Sequence, residues 1–154
     1  HPLIQFKALQ TLKKTGAVGK VPLTRHGEQV QVNIEDVPLQ LDDFPKKFHL
    51  ILKNIKENCE IHHPALSYFT ERLWEELLLS AYATSDYKKM VNLPSDHVVI
   101  WAASLHYLSE ELMLGYASKE AVFQMYGLDQ SDTKNWEDAS QIISKHVLTE
   151  SPLM

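Results

Sequence analysis

Ser95–Gly115, SDHVVIWAASLHYLSEELMLG, decides the fold of this chain. Val98, Trp101, Leu105, Leu108 and Leu112 are separated by alternating steps of three and four, the spacing that lines one face of an α-helix. Val99, Ile100, Ala102 and Met113 widen that stripe until little beyond Asp96, Ser104, Glu110 and Glu111 is left for water. A helix apolar around most of its girth is a core helix, about which other elements pack. Ser95 is the expected N-cap and Gly115 the expected left-handed stop.

Helical periodicity continues on both sides. Phe44, Phe48, Ile51, Leu52, Ile55 and Cys59 make a stripe over Pro45–Glu60, with Lys46, Lys47, Lys53 and Lys56 expected to face outward. Pro64 suits a first turn, and Leu66, Phe69, Leu73, Trp74, Leu77, Leu78 and Ala81 carry a second long helix to about Ala83. Thr84–Pro94 reads as a connection, in which Tyr87, Lys88 and Lys89 are exposed candidates for stacking on bases. Ser118–Tyr126 is a short helix ended by Gly127. A last one, capped by Asp129 or Ser131, uses Trp136, Ala139, Ile143 and Val147.

The first part of the chain differs. Pro2–Thr15 reads as a short helix with Ile4, Ala8 and Leu12 on its apolar side and Gly16 as its stop. Lys20–Thr24 and Gln29–Ile34 flank the turn Arg25-His26-Gly27-Glu28, and Val30, Val32 and Ile34 alternate with polar residues as in a half-buried strand. Val37, Leu39 and Leu41 prolong the alternation, but Pro38 makes that piece an edge or an extended connection. The expected fold is therefore mostly α: a bundle of about five helices, with an N-terminal helix plus β-hairpin of winged-helix character. Residues 1–43 would form the hairpin subdomain, 44–148 the bundle and 149–154 a frayed tail.

A chain of 154 residues with 44% apolar and 23% charged residues is ordinary for one globular domain. It has no apolar run long enough to span a membrane. The single Cys59 excludes an internal disulfide and fits a reducing compartment, so an intracellular site, nuclear or cytoplasmic, is expected. The first residue is His1 rather than Met, which suggests a tag remnant or a domain cut from a longer protein. The net charge of -5 is unevenly spread. Residues 1–27 hold Lys7, Lys13, Lys14, Lys20 and Arg25 and no acid, whereas all twenty acids lie beyond. Such a split predicts an anion-facing edge and an acidic body suited to a protein partner.

Two stretches resemble known families. KALQTLKKTGAVGKVPLTRHGEQV, followed by VPLQLDDFPKKFHLILKNIKENCEIHHPAL, is similar to the winged-helix-to-helical-bundle segment behind the motor of DEAH-box RNA helicases. The shared pattern is Ala8-Leu9, Gly16-Ala17, Leu23-Thr24, Gly27, Pro38-Leu39 and Cys59, within residues 8–65. There is no Walker motif, so the resemblance implies an accessory, non-catalytic part in a nucleic-acid machine. Ser118–Trp136 resembles the helix-turn-helix of transposase-type and repressor-type DNA binders. Its would-be recognition helix offers Asp129, Asp132, Glu137 and Asp138 against Lys134 alone, and that charge opposes a phosphate backbone.

Catalytic and metal chemistry have thin support. Cys59, His62 and His63 could approach a zinc ion but lack the second ligand pair of a structural site. His106 with Glu110, and Glu71 with Glu75, are spaced one helical turn apart, but only one His–Glu pair is available for a carboxylate-bundle iron site. Ser67, Ser80 and Ser104 have no nucleophile-elbow context. The expectation is a non-catalytic module without cofactor or metal. It would contact phosphate through Lys7, Lys13, Lys14, Lys20, Arg25 and His26 and a protein through its acidic body. The alternative is a regulatory or adaptor domain that binds protein alone, recognisable by an apolar groove between helices; a His/Glu metal-binding helical protein is the remaining class.

Overall fold

The central position of the Ser95–Gly115 stretch is realised. In the computed structural model, which describes residues 1–59 and 63–148, this stretch forms helix α5 (His97–Leu114), packed against four of the other helices. Before it come α1 (Pro2–Lys14), α2 (Lys46–Cys59), α3 (Pro64–Ala81) and α4 (Ser85–Val91); after it come α6 (Lys119–Met125) and α7 (Thr133–Leu148). Strands β1 (Lys20–Arg25) and β2 (Glu28–Asn33) form a two-stranded antiparallel hairpin between α1 and α2. The fold is mostly α, with an N-terminal helix and hairpin leading into a helical bundle. The proposed tail 149–154, Glu60 at the end of the second predicted helix, and His62 lie outside the described residues.

α5 buries Trp101, Ala102, Ala103 and Leu105 almost completely, and α2, α3 and α7 pack against it. Gly115 ends it at φ +85°, as its place after the last periodic residue implies. The N-cap differs from expectation. Pro94–Asp96 form a turn, Asp96 takes the cap position, and no side chain caps the helix. One continuous core joins Phe6, Leu9, Val32 and Val37 from the first part of the chain to the bundle residues.

Four other expectations are corrected. On α1 the buried side chains are Phe6 and Leu9; Ile4, Ala8 and Leu12 face solvent instead. Both stripes have helical spacing, and the larger ring, Phe6, takes the inside, edge-on to Tyr82 at 5.2 Å. Residues 34–43 do not prolong the strand but fold into 3-10 turns at Ile34–Asp36 and Leu41–Asp43. The connection after α3 contains a helix, α4, capped by Thr84 Oγ1 on the Tyr87 N–H and anchored by the buried Met90. Tyr87 is thereby set among Phe44, Phe48 and Tyr82, at 5.2–6.5 Å between ring centres, and is not a free stacking platform. Lys47 turns inward, its ammonium donating to the carbonyls of Val91 and Leu93 at the end of α4.

The hairpin turn holds both His26 (φ +51°) and Gly27 (φ +82°) in the left-handed region, the two-residue geometry that matches strand twist. Val21, Leu23 and Arg25 pair with Val32, Val30 and Glu28, and these six side chains share one sheet face, which is turned to the body.

Candidate functional site

The basic residues expected to form one phosphate-binding edge are divided by the fold. Lys7, Lys14 and Lys20 are exposed. Lys13 is half-buried and donates from Nζ to the Val37 carbonyl at 2.8 Å. Arg25 is removed from the surface altogether, at 0% exposure, which corrects its assignment to a phosphate-contacting edge. Its guanidinium makes five hydrogen bonds, as many as it has N–H groups. Nε donates to the Tyr82 carbonyl at 3.2 Å, and Nη2 to those of Leu79 at 2.6 Å and Ser80 at 3.1 Å. Nη1 donates to the Pro2 carbonyl at 2.6 Å and to Gln5 Oε1 at 3.3 Å. The cation thus sits on the negative end of the α3 dipole and satisfies carbonyls that the helix end leaves open.

His26 follows Arg25 inward. Its Nε2 lies 3.0 Å from both the carbonyl and the Oγ of Ser80, so it also does not present its ring to a phosphate. Ser80 Oγ is in turn 3.0 Å from His146 Nδ1, and His146 Nε2 is 2.9 Å from Asp86 Oδ2. Lys145 Nζ reaches the same carboxylate oxygen at 3.0 Å. Burial opposes ionisation of Asp86, but the hydrogen bonds and charges of Lys145 and His146 outweigh it and lower its pKa. Burial lowers His146 below the ordinary histidine value despite Asp86. An ionised Asp86 and a neutral His146 fix every proton. His26 Nε2–H donates to Ser80, Ser80 O–H donates to His146 Nδ1, and His146 Nε2–H donates to Asp86.

Serine, histidine and aspartate in this order are the components of a hydrolytic triad, and no local motif marks it because the partners lie far apart in the chain. The setting differs from a catalytic one. Ser80 is 1% exposed, lies near the end of a helix and has its oxygen already engaged by His26. Catalysis needs an approach to the nucleophile and donors for the developing oxyanion. Five surface grooves among the described residues are lined by other side chains.

A second buried cluster centres on His106. Its Nδ1 accepts from Tyr126 Oη at 2.8 Å and lies 3.3 Å from Cys59 Sγ, while Nε2 is 3.4 Å from Glu110 Oε1. Burial brings the imidazole pKa down to about 4, so it is neutral at physiological pH. Burial likewise raises Glu110. His63, one of the residues considered for zinc, serves as the N-cap of α3 through Nδ1 on the Leu66 N–H. Glu71 pairs with Lys56 at 3.3 Å. Among the described residues no group of three or more His, Cys, Asp and Glu side chains is placed to hold a metal ion. Likewise, no described helix is long and apolar enough to cross a membrane.

The surface offers two further features. An apolar groove of about 220 Å³ lies between α1 and α3, lined by Gln10, Leu39, Leu41, Phe44, Leu78 and Leu79 among others. On its solvent side, away from Gln10, α1 carries Ile4 (70% exposed) and Leu12 (39%), with Ala8 between them and Val18 (71%) just beyond the helix. Elsewhere on the surface, Lys119 of α6 lies over the rings of Phe123 and Trp136, 5.3 and 5.0 Å from their centres. This packing joins α6 to α7 in the Ser118–Trp136 segment.

Site and fold together describe a mostly α domain whose chemistry-bearing side chains are largely turned to its own interior. Compared with protein-family models, curated proteins and solved structures, the chain matches none.

Proposed function

We propose that this chain is a non-catalytic protein-interaction domain, an adaptor or regulatory part of a larger intracellular protein in the nucleus or cytoplasm. The observation that carries this reading is the exposed stripe of α1, where Ile4, Ala8 and Leu12 stand one above the other in solvent. Single exposed apolar residues are common, but a row on one helix face is the pattern of a docking surface. The burial of Ser80, His146, Cys59 and His106 supports a structural role for them over a catalytic one. The lone cysteine fits a reducing compartment.

A second reading keeps the nucleic-acid role implied by the resemblance to DEAH-box helicases. It now rests on Lys7, Lys14 and Lys20, which remain exposed on a segment without acids. The experiment that separates the two compares the wild-type chain with Ile4→Asp/Leu12→Asp and with Lys7→Glu/Lys14→Glu/Lys20→Glu. Loss of a protein from affinity capture in the first variant alone supports protein docking. Binding of short RNA or DNA that falls steeply with salt, and is lost in the second variant, replaces it with the phosphate-binding reading.

A further inference from the structure

We infer that the outer edge of β2 is a strand-addition site that takes up an extended segment of another protein. The bond from the Ile34 N–H to the Gly19 carbonyl fixes the alternation along the hairpin. Glu28, Val30 and Val32 turn their backbone groups toward β1, and Gln29, Gln31 and Asn33 turn theirs away. A groove of about 480 Å³ runs along that outer side. Every residue from Glu28 to Asn33 lines it and none of β1 does, while Tyr82, Ala83, Ser85, Tyr87 and Lys88 form the far wall.

The two edges of the hairpin are treated differently. On β1 the outward positions are Lys20, Pro22 and Thr24. Pro22 has no N–H to offer, Lys20 is charged, and the Thr24 carbonyl is taken by Gln5 Nε2 of α1 at 3.1 Å. These are the devices by which proteins close an edge to further pairing. On β2 the outward positions are three neutral amide residues, and among the described residues no backbone partner meets them. An alternating row of donors and acceptors is complemented by another extended chain.

The walls specify its side chains. Alternate residues on the Val30 and Val32 side meet Tyr82 and Tyr87 and are apolar. The end beside Asn33 lies against exposed Asp36 and carries a basic residue. This goes beyond the proposed docking on α1 and concerns a separate surface.

The test selects phage-displayed random peptides on the full chain and follows amide hydrogen exchange by NMR. Selected peptides are expected to alternate apolar and polar residues and to slow exchange at Gln29, Gln31 and Asn33 by about tenfold or more, leaving Val30 and Val32 unchanged. Gln31→Pro sits opposite Pro22, at a position that gives no ladder bond to β1. It should weaken these peptides by about tenfold, the loss expected when one peptide carbonyl is left without its donor. Gln29→Pro, at the neighbouring outward position, serves the same purpose should Gln31→Pro fail to fold. Failure to recover any peptide, binding without protection of the three amides, or binding indifferent to both proline variants overturns the proposal. A concentration-dependent dimer that Gln31→Pro abolishes also overturns it, giving the edge to a second copy of the chain. Ile4→Asp/Leu12→Asp should leave peptide binding intact, so failure at α1 and failure at β2 are read separately.

Discussion

Asp86 Oδ2 lies 2.9 Å from Nε2 of His146, sixty residues further along the chain, and this contact sets the direction of a proton chain that ends in the hairpin turn. Asp86 holds the proton on His146 Nε2, His146 Nδ1 must then accept from Ser80, and the Ser80 oxygen is left to accept from His26. Four segments of chain are joined by hydrogen bonds that run one way.

Removing the middle of this chain leaves a buried ring nitrogen unsatisfied. Ser80→Ala should fold and should lower stability by about 1–3 kcal/mol, the cost of one orphaned buried acceptor. Urea denaturation of the variant beside wild type measures it. An unchanged midpoint would show that water or another group takes over at His146 Nδ1.

His106 makes stability depend on pH. Its pKa drops from 6.5 in the unfolded chain to about 4 in the fold. A depressed histidine stabilises the fold fully above the unfolded value and loses that contribution as pH falls between the two. Acidification from pH 6.5 to 4 should therefore cost on the order of 3 kcal/mol at this residue. His146, also lowered, adds in the same direction. The raised pKa of Glu110 opposes them weakly toward the acid end of the window. Chemical denaturation across the range should show the loss, and His106→Phe should flatten it.

Arg25→Lys separates charge from geometry. A lysine keeps the positive charge but has three N–H groups where the guanidinium makes five bonds. The substitution should destabilise by about 2–4 kcal/mol through carbonyls left open in the interior. Lys7→Glu/Lys14→Glu/Lys20→Glu, on exposed positions, should change the melting temperature little. Equal effects of the two variants in thermal unfolding would contradict the division of roles.

The backbone at Ala83 is in the left-handed region, at φ +69°. Ala83→Gly relieves that strain and should be neutral or stabilising by up to about 1 kcal/mol, measured by thermal melting. Ala83→Val should be destabilising at the same site, because a branched side chain resists the conformation more strongly.

What could be read from the sequence follows the range of the interaction. α5 was legible because its apolar spacing repeats over five turns, and Gly115 and Gly127 because a stop is a local property. α1 was placed but turned the wrong way: in thirteen residues two stripes fit the period, and only contact with Tyr82 favours Phe6. α4 is too short for a periodic signal, though Thr84 before Ser85-Asp86 is a cap that could have exposed it. Arg25 looked like a surface cation because its acceptors, apart from those on α1, are carbonyls more than fifty residues away, and a carbonyl leaves no mark in a sequence. The Ser80, Asp86 and His146 cluster was unreadable for the same reason.

That distance also imposes an order of assembly during synthesis. Arg25 meets three of the five acceptors described above at the end of α3, residues 79–82, fifty-four to fifty-seven positions downstream. A chain leaving the ribosome N-terminus first therefore carries a finished turn and a guanidinium short of three of these five acceptors until Tyr82 has cleared the exit tunnel. Only then can the cation dry and the hairpin lock onto the bundle.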